Sequence, residues 1–252
     1  MADHSQERPL HELLSRDMVD IYVGPENTHW ILHEKLLCYR SRFFRKIFYY
    51  DNKTAKYKNH TYGVPEEEDG PFRLFVGWLY SEQVPPARHE EDLAWLFDLY
   101  LMGEKWEIKS LQLDVLEAVR QYYHDNDTWP ELRRVQYIYA NTAPESPMRE
   151  LLMQCVARML VLREDGLPAH WEKALRHNGP LAVDIILCVQ KWHALEADRV
   201  PDVREESVMS FVDELEHRAE VIGCPFGHEE KLVHGATTRG WGSGRRVGER
   251  EN

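Results

Sequence analysis

The apolar residues of this chain change their spacing partway along, and that change limits the folds that the chain can adopt. Residues 18–24, MVDIYVG, and residues 28–33, THWILH, have the alternation of half-buried strands, and the turn residues GPEN connect them. Together they predict a β-hairpin, and TYGV at residues 61–64 predicts a third short strand. From Pro71 onward the apolar positions instead have helical spacing. We therefore expect an α+β fold.

The helical part of the sequence divides into several segments, each with apolar residues on one face. Gly103 is placed to end one of them, and Pro147 suits the first position of another, directly after Ser146. The predicted helices cover residues 71–82, 90–103, 107–123, 130–140, 147–163, 180–193 and 202–222. The expected architecture is a small sheet with helices, followed by an all-α C-terminal region.

The spacing changes from strand to helix at His33, within the segment WILHEKLLCYRSRFF. Ser41 is placed to cap a following helix through its hydroxyl. Phe44 then begins a set of apolar residues at helical spacing with Ile47 and Phe48. We interpret His33, Ser41 and Phe44 as structural residues.

The composition is that of a folded acidic protein. The chain has 252 residues, of which 43% are hydrophobic and 29% charged, and its formal net charge is −12. Because a nucleic-acid surface usually carries the opposite sign, we do not expect nucleic acid as a partner. The first residues contain no apolar signal core, and no apolar run is long enough to span a bilayer. These signs predict a protein that is neither secreted nor embedded in a membrane.

The four cysteines are far apart, at Cys38, Cys155, Cys188 and Cys224, and no CxxC motif occurs. A disulfide framework would be denser and the chain shorter. We therefore expect reduced thiols and a cytoplasmic or nuclear location.

The sequence contains no motif that would place a nucleophile, a phosphate cradle or a catalytic metal. GxSxG, P-loop, GxGxxG and HExxH patterns are all missing. The consecutive carboxylates of PEEED, residues 65–69, are expected to be solvated, because an acid–base pair needs two different environments. We expect a protein that is not an enzyme and has no cofactor.

One cluster has the residue types of a zinc site. Cys224, His228 and His234 lie within eleven residues, and thiolate and imidazole suit zinc. Three ligands do not complete a structural site, so a fourth would have to come from elsewhere. The alternative, which we favour, is an ordinary surface tail without metal.

Three segments in a fixed order carry a resemblance to a known family. They are RDMVDIYVG, WILHEKLLCYRSRFF and VPEEEDGPFRLFVGWLYSEQV. In this order they resemble the BTB/POZ domain, and the sequence of the third segment is most similar to that of the fungal type. The resemblance covers residues 10–123. The expected organisation is a flexible N-terminus at 1–9, a BTB/POZ-like domain at 10–123, a helical region at 128–222 and a tail at 223–252 whose Gly- and Arg-rich composition predicts disorder.

BTB/POZ domains are protein-interaction modules, so the resemblance implies binding as the function. Members commonly form homodimers, and many connect a substrate to a cullin-type ubiquitin ligase. The alternative is a scaffold or transcription-associated protein that binds no cullin. His33 corresponds to the family's strand-to-helix histidine.

The resemblance also suggests which residues form the interfaces. Leu10, Leu13 and Leu14 form a short amphipathic segment that is expected to pack on a second subunit. Further interface candidates are Asp17, Glu34, Phe43, Tyr49 and Tyr50, the last three on the side where a cullin would dock.

Two positions depart from the family pattern. Glu34 stands where dimeric members carry a basic residue, so it and Asp17 would be like charges, which Lys35 would have to compensate. Thr54-Ala55-Lys56 stands where many cullin-binding members carry a hydrophobic-x-Glu motif, and it has neither the anchor nor the acid. Cullin binding, the oligomeric state and the partner therefore stay open at this stage.

Overall fold

Two antiparallel strands, β1 (Met18–Val23) and β2 (Thr28–His33), form the predicted hairpin in a computed structural model of the chain. The structure describes residues 8–50, 60–194, 199–205 and 207–213. Strand β3 (Thr61–Val64) pairs in parallel with β1, which gives the sheet order β2-β1-β3. The alternation in β1 is confirmed, because Val19, Ile21 and Val23 are all buried. The fold is α+β, as expected from the sequence.

Helices account for most of the remaining described chain. Those before and around the third strand are α1 (Leu10–Leu13), α2 (Glu34–Arg40) and α3 (Arg42–Arg45), which continues into a π-helical turn at Lys46–Tyr50. The next three are α4 (Asp69–Ser81), α5 (Asp92–Lys105) and α6 (Lys109–Asp125). The last four are α7 (Leu132–Asn141), α8 (Pro147–Val161), α9 (Ala169–His177) and α10 (Gly179–Ala194).

Gly103 does not end its helix, because α5 continues to Lys105. Its role is instead one of packing. A Cβ at this position would lie 3.0 Å from the side chain of Gln112 in α6, so glycine permits the close approach of α5 and α6. Helix α9 was not predicted from the sequence at all, whereas the start of α8 at Pro147 is confirmed.

The core of the sheet region is built from aromatic rings around Trp106, which is fully buried. Its ring centroid lies 5.3 Å from that of Phe44, 5.9 Å from that of Phe72 and 4.8 Å from that of Phe75. Tilted and edge-on pairs at these distances are the favoured arrangement of aromatic side chains. The rings thereby join α3 and α4 at the end of α5.

Helices α7–α10 pack directly against this region. Helix α5 contacts α7, α6 contacts α8, and the buried residues of both regions form one continuous core. The Tyr137 hydroxyl of α7 donates a hydrogen bond of 2.6 Å to Asp98 of α5. Tyr100 of α5 is similarly hydrogen-bonded to Ser146, which precedes α8, at 3.2 Å.

The described chain after α10 crosses from α8 to α6. Arg158 of α8 donates to the carbonyl of Val200. Arg204 then donates to the carbonyls of Tyr123 and Thr128, at 3.2 and 3.1 Å, at the end of α6. Residues 208–213 are helical. The helix predicted over 202–222 therefore starts later than expected, because residues 202–205 are not helical, and Arg204 places the segment before it at the end of α6.

The predicted apolar stripe of that last helix is confirmed for the positions within the described ranges. These positions, all buried, are Val208, Phe211 and Val212. The predicted tail at 223–252 and most of the predicted flexible N-terminus lie outside the described residues. Within the described ranges, no helix is both long enough and apolar enough to cross a bilayer.

Candidate interaction surface

The leucines of α1 and the leucine that follows it differ in their exposure. Leu13 is buried, whereas Leu10 and Leu14 are 40% and 41% exposed. Leu13 lies in the core of its own chain and α1 contacts α2, so of the three predicted interface leucines only Leu10 and Leu14 present exposed area to a second subunit. Lys35 of α2 holds the same segment by donating to the backbone carbonyl of Glu12.

Glu34, at the first position of α2, is almost completely buried, with 1% of the residue exposed. Its backbone N–H donates to the carbonyl of Asp17 at 3.0 Å, so the two predicted residues do lie side by side. The imidazole of His60 lies beside this carboxylate, with its Nδ1 3.2 Å from Glu34 Oε2. A buried carboxylate beside a protonatable imidazole is far less costly than one that stands alone.

Tyr49 completes this corner of the molecule. Burial raises the pKa of its phenol, and the charge of Glu34 and a hydrogen bond to Glu34 raise it further. Its ring nevertheless keeps a large exposed area. The structure thus brings together three of the predicted interface residues, Asp17, Glu34 and Tyr49, and adds His60, which sequence reasoning missed.

We refer to Leu10, Leu14, Asp17 and Tyr49 as the N-terminal face. All four are exposed, and two of them contact Glu34: Asp17 through its backbone carbonyl and Tyr49 through its side chain. Arg8, shortly before α1, contacts α2, since its backbone N–H donates to the hydroxyl of Tyr39. The face therefore combines two apolar side chains with an aromatic and an acidic one on a well-anchored support.

The residues predicted as structural have the expected environments. Ser41 caps α3, because its Oγ accepts from the backbone N–H of Phe44 at 3.1 Å and also donates to the carbonyl of Trp106 at 2.8 Å. Phe44 is fully buried. His33 is hydrogen-bonded to the hydroxyl of Tyr80.

The side expected to meet a cullin is described only in part. Phe43 is half-buried and packs edge-on against Phe44 and Tyr62, with centroids 5.2 and 5.9 Å apart. Phe43 therefore contributes to the fold, and its part in a cullin contact stays a prediction. The side chain of Tyr50 and the whole of Thr54-Ala55-Lys56 lie outside the described residues.

The carboxylates of PEEED have partners in the described structure. Lys105 of α5 forms ion pairs with Glu66 and with Glu67, the latter at 2.7 Å. The hydrogen bond from Lys105 is the main cause that lowers the pKa of Glu66. These groups fasten the loop before α4 to the end of α5.

A cleft of about 380 Å³ lies between α7 and α9. Leu132 and Gln136 line one wall, and His170 and Trp171 line the other. Across the described part of the chain, no three His, Cys, Asp or Glu side chains are grouped as a metal site. The candidate ligands Cys224, His228 and His234 lie outside that part.

Comparison with known proteins leaves the family open. No protein-family model matches this sequence, and the search of curated proteins finds no match. The resemblance to the BTB/POZ domain therefore stays a prediction that rests on the three quoted segments.

Proposed function

We propose that this chain is a protein-interaction module of the BTB/POZ type that associates with itself through the N-terminal face. The single observation that supports this most is the exposure pattern at α1: Leu13 is buried, while Leu10 and Leu14 stay 40% and 41% exposed. Tyr49 is exposed as well, and tyrosine is one of the residue types enriched in interfaces. Burying the exposed parts of two leucines would contribute about 1 kcal/mol each.

The order of the elements agrees with the proposal. A hairpin, a helix that begins after His33, a short third strand parallel to the first and a run of helices follow one another. That is the order implied by the BTB/POZ resemblance. It supports an interaction module as the function and leaves the partner open.

Light scattering coupled to size exclusion tests self-association. We expect the L10E/L14E variant to have a lower average mass than the unmodified chain, because two buried carboxylates would oppose each other across the interface. The control variant S110E/Q121E adds the same charge at exposed positions of α6 and should keep the original mass. Equal masses for all three proteins would show that the N-terminal face is not the contact.

We further propose that the module serves as a substrate adaptor for a cullin-type ubiquitin ligase. Light scattering coupled to size exclusion also tests the adaptor proposal when the N-terminal region of a cullin is added. A larger complex supports the adaptor, whereas self-association alone supports a scaffold or transcription-associated protein. The variant T54L/K56E restores the hydrophobic-x-Glu pattern and should bind the cullin at least about tenfold more tightly. No gain in affinity would favour the scaffold.

A further inference from the structure

Helix α10 exposes apolar side chains on the side that faces away from the core. Its inner face buries Leu181, Ile185, Cys188 and Trp192, and it contacts α8 and α9. Its outer face carries Val183, Ile186 and Leu187, whose exposed fractions are 53%, 56% and 58%. These three residues, at positions i, i+3 and i+4, adjoin on the helix surface. We refer to them as the α10 face.

Helix α9, which contacts α10, has no comparable group of large exposed apolar side chains. The exposed positions of α9 are polar or charged apart from the small Ala169, namely His170, Glu172, Lys173, Arg176 and His177. Single exposed apolar residues are normal on a protein surface, but a helix that is apolar on both sides is normally covered on both sides. The α10 face therefore indicates a surface that is covered in the working protein.

Charge decides which partner suits this face. The charged residues of α10, Asp184 and Lys191, are both half-buried at its border. Asp184 accepts from Tyr139 at 2.9 Å and pairs with Arg149 at 3.2 Å. No exposed residue of α10 carries a formal charge when its histidine is neutral. Two copies of a chain with a net charge of −12 repel each other generally, and contact through a face without carboxylates adds nothing to that repulsion.

The described course of the chain leads away from the α10 face. After Ala194 the chain is next described at residue 199, and Arg158 of α8 then holds Val200. Arg204 attaches the segment to the end of α6, where the helical residues 208–213 bury their own apolar stripe. The described chain thus covers α6 and α8 and does not return to α10.

We infer that the α10 face binds the same face of a second copy of this chain. This contact is separate from the N-terminal face and does not depend on it. Because two copies of one patch meet around a two-fold axis, each apolar side chain finds apolar neighbours without a matching charge. A chain with two such self-contacts forms assemblies larger than a dimer.

The size of the face predicts a weak contact. Three half-exposed side chains present much less area than the roughly 800 Å² per partner of a standard interface. We therefore expect an average mass that rises with protein concentration. The variant I186E/L187E should raise the dissociation constant of this contact at least about tenfold, in the original chain and in L10E/L14E alike. S110E/Q121E is again the control with equal charge.

Cysteine cross-linking in the full chain gives a second, independent readout. A thiol at Leu187→Cys should form a disulfide-linked dimer under mild oxidation, because a two-fold axis that passes through the small α10 face brings the two copies of Leu187 close together. Gln121→Cys, exposed on α6, should stay at the background set by the unmodified chain, which already contains Cys224.

Two results would overturn the inference. If I186E/L187E leaves the mass unchanged at every concentration and Leu187→Cys gives no linked dimer, the α10 face does not bind a second copy. If Leu187→Cys is instead linked to Cys224 of the same chain, the C-terminal segment covers the face. If the α10 variants have no effect but L10E/L14E still lowers the average mass, the proposed function stands and the present inference fails. If L10E/L14E has no effect but the α10 variants do, the present inference stands and self-association through the N-terminal face fails.

Discussion

The hydroxyl of Tyr80 in α4 binds His33 at two atoms. It accepts from the backbone N–H of His33 at 3.2 Å and lies 2.9 Å from the Nδ1 atom of the same residue. An oxygen that accepts from the N–H still has its own proton to donate, and Nδ1 is in position to accept it. The histidine at the strand-to-helix junction is thus fixed by α4, and its role is to hold the sheet against the helices.

We expect Tyr80→Phe to lower the free energy of unfolding by about 1–2 kcal/mol, because it leaves a half-buried backbone N–H and a ring nitrogen without their partner. Urea unfolding followed by circular dichroism measures this. Tyr22→Phe is the matched control, since the ring of Tyr22 stacks on His29 at 4.7 Å and phenylalanine keeps that stack. A loss in Tyr80→Phe no larger than in the control would contradict the structural role of His33.

Arg204 makes the densest set of contacts in the described C-terminal segment. Its guanidinium lies 3.7 Å from the ring centroid of Trp129 and donates to both carboxylate oxygens of Asp202, at 3.0 and 2.8 Å. Lysine cannot reproduce this planar two-pronged contact, so Arg204→Lys should cost about 1–3 kcal/mol of stability. Arg176→Lys, on an exposed ion pair with Glu172, should cost less than about 0.5 kcal/mol. Equal losses in urea unfolding would argue against the contact set.

The same pair predicts a dependence of stability on pH. Burial acts to raise the pKa of Asp202, but the hydrogen bonds and charge of Arg204, with the charge of Arg158, outweigh it and lower the pKa below its ordinary value. A carboxyl whose pKa is lower in the folded chain stabilises it above the unfolded pKa of about 3.9 and loses that effect as the pH falls through the folded pKa.

The variant Asp202→Asn tests this directly. The difference in unfolding free energy between the original chain and the variant should be constant from about pH 7 to 5 and shrink below about pH 4. Urea unfolding at a series of pH values gives both curves. If the difference in unfolding free energy does not change with pH, the negative charge of Asp202 does not contribute to stability beyond the hydrogen bonds.

Local patterns revealed the parts of the fold that depend on near neighbours. The alternation of Val19, Ile21 and Val23 was readable because one face of β1 is buried, and the Ser41 cap because it binds Phe44, three residues away. The partner of His33 was not readable, since Tyr80 follows 47 residues later and only the packing of α4 brings it close. His60 reaches Glu34 only through the pairing of β3 with β1, which the sequence does not specify.

Helix α10 shows a second limit of the sequence. Val183, Ile186 and Leu187 have the spacing of a core face, and so do Leu181, Ile185 and Cys188. When both sides of a helix are apolar, the period alone does not tell which side the chain itself buries. The structure makes that distinction, because it buries the second set and exposes the first.

The thiol of Cys155 should be inert while the chain is folded. Burial is the main cause that raises its pKa to about 12, so almost none of it is the reactive thiolate near neutral pH. Cys38 and Cys188 are buried as well. Brief alkylation at pH 8, followed by peptide mass mapping, should modify these three cysteines only after denaturant is added. Modification of Cys155 in the native protein, at a rate like that of a free thiol, would mean that α8 opens from the core more readily than its burial implies.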